Sequence, residues 1–109
     1  MRIIVIILAL SAGLVATASA QDQLAKGEAV YAAQKCAMCH SIGEKGNKKG
    51  PLDGVGAKLS AADISLWMTD AKAMTARTKS TRKPEMKSYT LPKDELDALV
   101  AYMASLKKK

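Results

Sequence analysis

The chain is predicted to be all-α, with three main helices and two long loops in one small domain. Three observations predict this. Apolar residues recur at helical spacing in three stretches, the segments between them are rich in Gly, Pro, Lys, Ser and Thr, and beyond the N-terminal apolar run no alternating stretch is long enough for a strand. In the first helix Leu24, Gly27 and Tyr31 share a face, with Val30 beside them. The second begins near Ser60, which forms a capping pair with Asp63, and carries Ile64, Trp67, Met68 and Ala71 at a 3.6-residue period before ending about Met74. The third opens at Pro92, with Asp94 and Glu95 in the first turn, where the helix dipole favours acids. Leu96, Leu99, Val100, Met103 and Leu106 form its apolar stripe. The loops, "SIGEKGNKKGPLDGVG" and "TARTKSTRKPEMKSYT", are long for so small a domain and need something to wrap around.

The N-terminus reads as an export leader. Arg2 precedes an uncharged apolar run from Ile3 to Leu10, and small residues then lead to Ala18-Ser19-Ala20, an A-x-A cleavage signal. Residues 1–20 are therefore expected to be a signal peptide, and 21–109 the functional domain in the periplasm. The alternative is an uncleaved anchor, since residues 3–20 just reach spanning length. A domain this short has a limited core and commonly needs a metal, a cofactor or disulfides. It has no Phe, one Trp and three Tyr, so a large apolar cofactor could supply core volume that aromatic residues usually fill. Only Arg2 of the 17 basic residues lies in the leader, leaving 16 against 10 acidic ones, a net +6. Such a balance suggests an acidic partner, or simply a well-solvated surface.

Both cysteines and the only histidine fall within residues 36–40, in "QKCAMCHSIG". Cys36, Cys39 and His40 make a C-x-x-C-H motif. Zinc would want four ligands, and no third cysteine or second histidine completes a set. A thioredoxin-like redox pair would follow a strand, and none is predicted. A plain disulfide leaves His40 unexplained. The motif is best read as attachment of one c-type haem, each thiol forming a thioether with a vinyl group and His40 standing beneath the iron.

These residues and their flanks resemble a small bacterial class I cytochrome c over residues 22–106. "GEAVYAAQKCAMCH" resembles the family's first helix and haem motif, "GPLDGVG" the Gly-Pro loop, and "LVAYM" the last helix. The resemblance implies the cytochrome c fold, wrapped around one covalently attached haem. It implies that the first and last helices cross at Gly27, against Leu99 and Tyr102. It also implies that the Pro51 carbonyl accepts a hydrogen bond from the other nitrogen of His40, tuning the iron. Trp67 either donates to a haem propionate or packs on the haem edge.

With one histidine, bis-histidine ligation is excluded. Met38 lies inside the haem motif, and Met68 and Met103 sit on helical stripes where a core role is the default. Met86, in the polar "RKPEMKSY", has no core stripe to account for it, and it lies 46 residues after His40, a spacing seen in shorter members of the family. Met86 is therefore the expected sixth ligand, with Met74 the alternative. Two protein ligands close the iron to substrate, so the expected function is a single-electron carrier and not an enzyme. A dedicated cytochrome subunit of a dehydrogenase, or a haem enzyme or sensor with an open sixth site, are the alternatives. Lys45, Lys48 and Lys49 in one loop, and Arg77, Lys79, Arg82, Lys83 and Lys87 around Met86, are expected to ring the haem edge. They would meet acidic redox proteins (an oxidase, reductase or dehydrogenase) rather than nucleic acid, with the carrier acting as a monomer.

Overall fold

Two helices far apart in sequence set the frame, and they touch at the backbone. The computed structural model describes residues 13–108, with side chains from residue 19 onward. Helix α1 (Gly13–Ala33) is free of proline and rich in alanine, both of which favour an uninterrupted helix. It crosses α5 (Lys93–Ser105), which starts after Pro92 and carries Asp94 and Glu95 in its first turn. A Cβ on Gly27 would stand 2.1 Å from the Ala98 carbonyl oxygen and 2.6 Å from Tyr102 Cβ, so no side chain fits between the helices. Tyr102 is the partner expected. Ala98 replaces the expected Leu99, because Ala98 and Tyr102 lie four apart on one face of α5 while Leu99 faces the core, 1% exposed. Gly27→Ala should lower stability by about 2 kcal/mol, as overpacking against rigid backbone does. The thermal midpoint of the loaded protein should then fall by roughly 10 °C. An unchanged midpoint in calorimetry would show that the crossing has slack.

The second expected helix is two. Helix α3 (Ala61–Thr69) is capped by Ser60, whose hydroxyl accepts from the Asp63 N–H at 3.1 Å. Helix α4 (Ala71–Thr78) is capped by Asp70, whose carboxylate accepts from the Ala73 N–H at 3.3 Å. Asp70 sits outside helical geometry (φ −145°, ψ 61°), because its side chain bonds locally to backbone and competes with the helix ladder. The Ser88 hydroxyl, accepting from the Ala71 N–H at 2.9 Å, holds the break from outside. Met74 therefore lies in the middle of α4, 3% exposed, and Thr75–Thr78 are helical rather than part of the expected loop.

The first long loop also contains structure that was not expected. Strands β1 (Ser41–Ile42) and β2 (Lys45–Gly46) form an antiparallel hairpin, too short for any alternating pattern to show. Helix α2 (Val55–Lys58) is a single turn laid against α5, with the Gly56 N–H donating to the Leu106 carbonyl at 2.8 Å. Val30, Ile64, Met68, Leu99 and Met103 form the core between α1, α3 and α5. The class is all-α, as expected, with this small hairpin added. Among the described residues no helix is long and apolar enough to cross a membrane. The apolar run of the expected leader, residues 3–10, lies outside the described residues.

Candidate functional site

Past α1 the chain reverses at Lys35 (φ 58°) and enters a 3₁₀ turn, Cys36–Met38. At three residues per turn, side chains at i and i+3 eclipse, so the spacing C-x-x-C brings both thiols out on one side. Neither cysteine is in a disulfide. Asn47 ties the turn down: its N–H donates to the Ala37 and His40 carbonyls at 3.1 and 2.9 Å, and its side-chain amide to the Met38 carbonyl at 3.1 Å. Cys36, Cys39 and His40 all line one cavity of about 660 Å³.

His40 Nδ1 lies 3.0 Å from the Gly50 carbonyl oxygen. A carbonyl only accepts, so Nδ1 carries the proton and Nε2 keeps a lone pair for a ligand bond. Burial holds the imidazole below its ordinary pKa, with the Gly50 bond opposing and the Arg82 charge acting in the same direction as burial, so the ring is neutral at pH 7. The acceptor is not the Pro51 carbonyl that was expected. Gly50 O also accepts from the Ser41 N–H at 3.1 Å, and the Leu52 N–H donates to Ser41 O at 2.8 Å. In this extended segment, which bridges in parallel to Ser41, alternate peptide groups face opposite ways, so the Pro51 carbonyl is turned from the ring. Pro51 is exposed beside the acceptor it was expected to provide.

The rest of the cavity wall is apolar. Leu52, Val55 and Leu59 come from the α2 region, Ile64, Trp67 and Met68 from α3, and Met103 from α5. Trp67 is half-buried on this wall. The loop of residues 79–92 completes it with Arg82, Met86, Lys87 and Tyr89. That loop is anchored on both sides of Met86: Arg82 donates to the Cys39 carbonyl upstream, and the Tyr89 N–H donates to the Met68 carbonyl at 2.7 Å downstream. Of the two methionines weighed as ligand, Met86 shares the cavity with His40, whereas Met74 is not among the residues lining it. Asn47, Gly50 and the contacts of Arg82 and Tyr89 had no signal in the sequence, where Arg82 counted only as one of several charges.

A volume of this size is that of a built small-molecule or cofactor site, roughly 300–1,000 Å³. Among the described residues no group of three or more His, Cys, Asp and Glu side chains is arranged to hold a bare metal ion. Two thiols on one wall, an imidazole with a committed Nδ1 and an apolar lining instead fit a flat apolar macrocycle bonded at its rim. The family model for cytochrome c matches residues 24–107. The chain is a member of the cytochrome c family. No curated protein and no solved structure matches it significantly. As a class I cytochrome c it carries a covalent c-type haem with its iron, and it serves as a haem-based electron carrier. The apolar wall of this cytochrome c would keep water from the macrocycle, and Asn47, just after the hairpin, hydrogen-bonds to the attachment turn.

Proposed function

We propose that this cytochrome c is a periplasmic single-electron carrier, with Cys36 and Cys39 joined to the haem and His40 and Met86 as the axial ligands. The observation that carries the reading is that Met86, on an anchored loop, lines the same cavity as His40, while Met74 is buried in α4 and is not among its lining residues. The haem supplies a one-electron Fe(III)/Fe(II) couple, and a thioether ligand favours its reduced form. The Gly50 carbonyl fixes the His40 ring, and the two anchors of the 79–92 loop fix Met86. Little has to move when an electron arrives. The leader, with Arg2, the apolar run and Ala18-Ser19-Ala20, supports export and removal of residues 1–20. The test is carbon monoxide added to the reduced protein at neutral pH. The spectrum should stay unchanged, and ready binding would favour an enzyme or sensor with an open sixth site.

The surface around the cavity supports an acidic partner. Lys35, Arg82 and Lys87 line it, and Lys87 Nζ lies 5.2 Å from the centre of the Tyr89 ring. Several other expected members of the ring are paired: Lys48 with Glu44, Lys83 with Glu85 and Arg77 with Asp63. Electron transfer to an acidic partner should therefore slow as salt rises, because the Debye length shrinks to about 10 Å at 0.1 M. Lys87→Glu should slow encounter by about tenfold at low salt, more than Lys83→Glu and far more than Lys108→Glu. Equal effects in stopped-flow at all three positions would mean that net charge alone matters.

A further inference from the structure

The loop that brings Met86 to the cavity is tied to the haem-attachment turn by one side chain, Arg82. The guanidinium donates through Nη2 to the Cys39 carbonyl, across 43 positions of sequence. Its other end rests on Gly50, where a Cβ would stand 1.7 Å from Arg82 Nη1 and 2.3 Å from the Cys39 carbonyl oxygen. Gly50 is thus a gap in the wall that the guanidinium occupies. It is also the residue whose carbonyl accepts from His40 Nδ1. One cation therefore touches the residue just before the histidine and the residue that orients its ring, and it stands four positions ahead of Met86. Among the described ion pairs Arg82 takes part in none, whereas its neighbour Lys83 is spent on Glu85.

The geometry points to Arg82 as a positioning residue, a latch that holds the Met86 loop against the attachment turn and so sets how readily the sixth coordination position opens. The inference rests on the His40/Met86 reading above. The planar fork suits the place: one nitrogen bonds the carbonyl while the other sits against Gly50, which a lysine ammonium cannot reproduce. Downstream of Met86 the loop is held by backbone and by Ser88, to Met68 and Ala71. Upstream, toward the histidine, the bond from Arg82 is the side-chain tie to the attachment turn. The same charge, beside the histidine, opposes the extra positive charge of oxidised iron. Losing Arg82 should therefore both loosen the loop and lower the potential.

The experiment uses the haem-loaded protein and two probes, imidazole binding to the oxidised form and the reduction potential. Arg82→Gln should raise imidazole affinity about tenfold, the worth of one hydrogen bond from a charged donor, and should lower the potential. Arg82→Lys keeps the charge without the fork, so it should hold the potential near wild type while imidazole still binds several-fold tighter. Lys83→Gln, in the same loop, should move neither. If Arg82 were only a structural strut, both Arg82 variants would melt earlier with imidazole affinity and potential unchanged, and the latch would be overturned. The near-infrared thioether band separates the two levels. Its presence in wild type with equal imidazole affinity in all variants overturns the latch alone, whereas its absence in wild type overturns the ligand reading and the latch with it.

Discussion

Replacing both Cys36 and Cys39 with alanine is expected to abolish covalent haem attachment. The wild-type chain should carry the mass of one haem, and its pigment should stay with the protein in acid–acetone; the double variant should lose both properties. Both thiols line the same cavity, and burial pushes the Cys36 thiol above its ordinary pKa. The effect on the fold should be as large as that on the chemistry. Ile64, Met68 and Met103 belong to the cavity wall, and all three join Val30 and Leu99 in the core. Without its haem that apolar wall would face solvent, and losing its burial would remove a large share of what holds so small a domain together. The double variant should therefore lose cooperative thermal unfolding and much of its helical circular dichroism. Each single variant should keep one thioether and mature poorly. Wild-type pigment that extracts freely would refute the attachment.

Met86→Ala is expected to remove the weak near-infrared absorption of an Fe(III)–thioether bond, and to lower the potential by on the order of 0.2 V, within the ~0.8 V that axial ligands span. The reduced variant should bind carbon monoxide, which reduced wild type resists. Met74→Ala provides the contrast. Its side chain is 3% exposed in α4, with the Arg77 guanidinium 3.8 Å from its sulfur and the Thr78 hydroxyl donating to its carbonyl at 2.8 Å. Truncating it should cost about 2–5 kcal/mol of stability and leave the near-infrared band in place. The two residues would exchange roles if the band followed Met74 instead. Because the loop is held at Arg82, Ser88 and Tyr89, Met86→Ala should open the sixth position without melting the loop, and a large fall in the thermal midpoint would speak against this division of labour.

Short-range chemistry was legible in the sequence. C-x-x-C-H names its cofactor because three residues make one tight turn and put two thiols and an imidazole at one wall, whatever the rest of the chain does. The Ser60 cap, the start of α5 after Pro92 and the apolar stripes of α1 and α5 were likewise readable, since they depend on neighbours three or four positions away. Contacts across the chain were decided only by the tertiary structure. That His40 leans on Gly50 rather than Pro51 depends on which peptide of an extended segment turns toward Ser41, a matter of register that composition does not carry. The break at Asp70 is held both by a local cap and by the Ser88 hydroxyl, 17 positions from the Ala71 N–H it accepts from, so an apolar stripe that looked continuous became two helices. Gly27 and Tyr102 were recognisable at the crossing, but that Ala98 rather than Leu99 meets Gly27 follows from the rotation of α5, which the buried Leu99 and Met103 set by facing the core. Arg82 was one basic residue among many until the fold carried it to the Cys39 carbonyl, because a long-range hydrogen bond is made by closing a loop and leaves no periodic trace in the residues that make it.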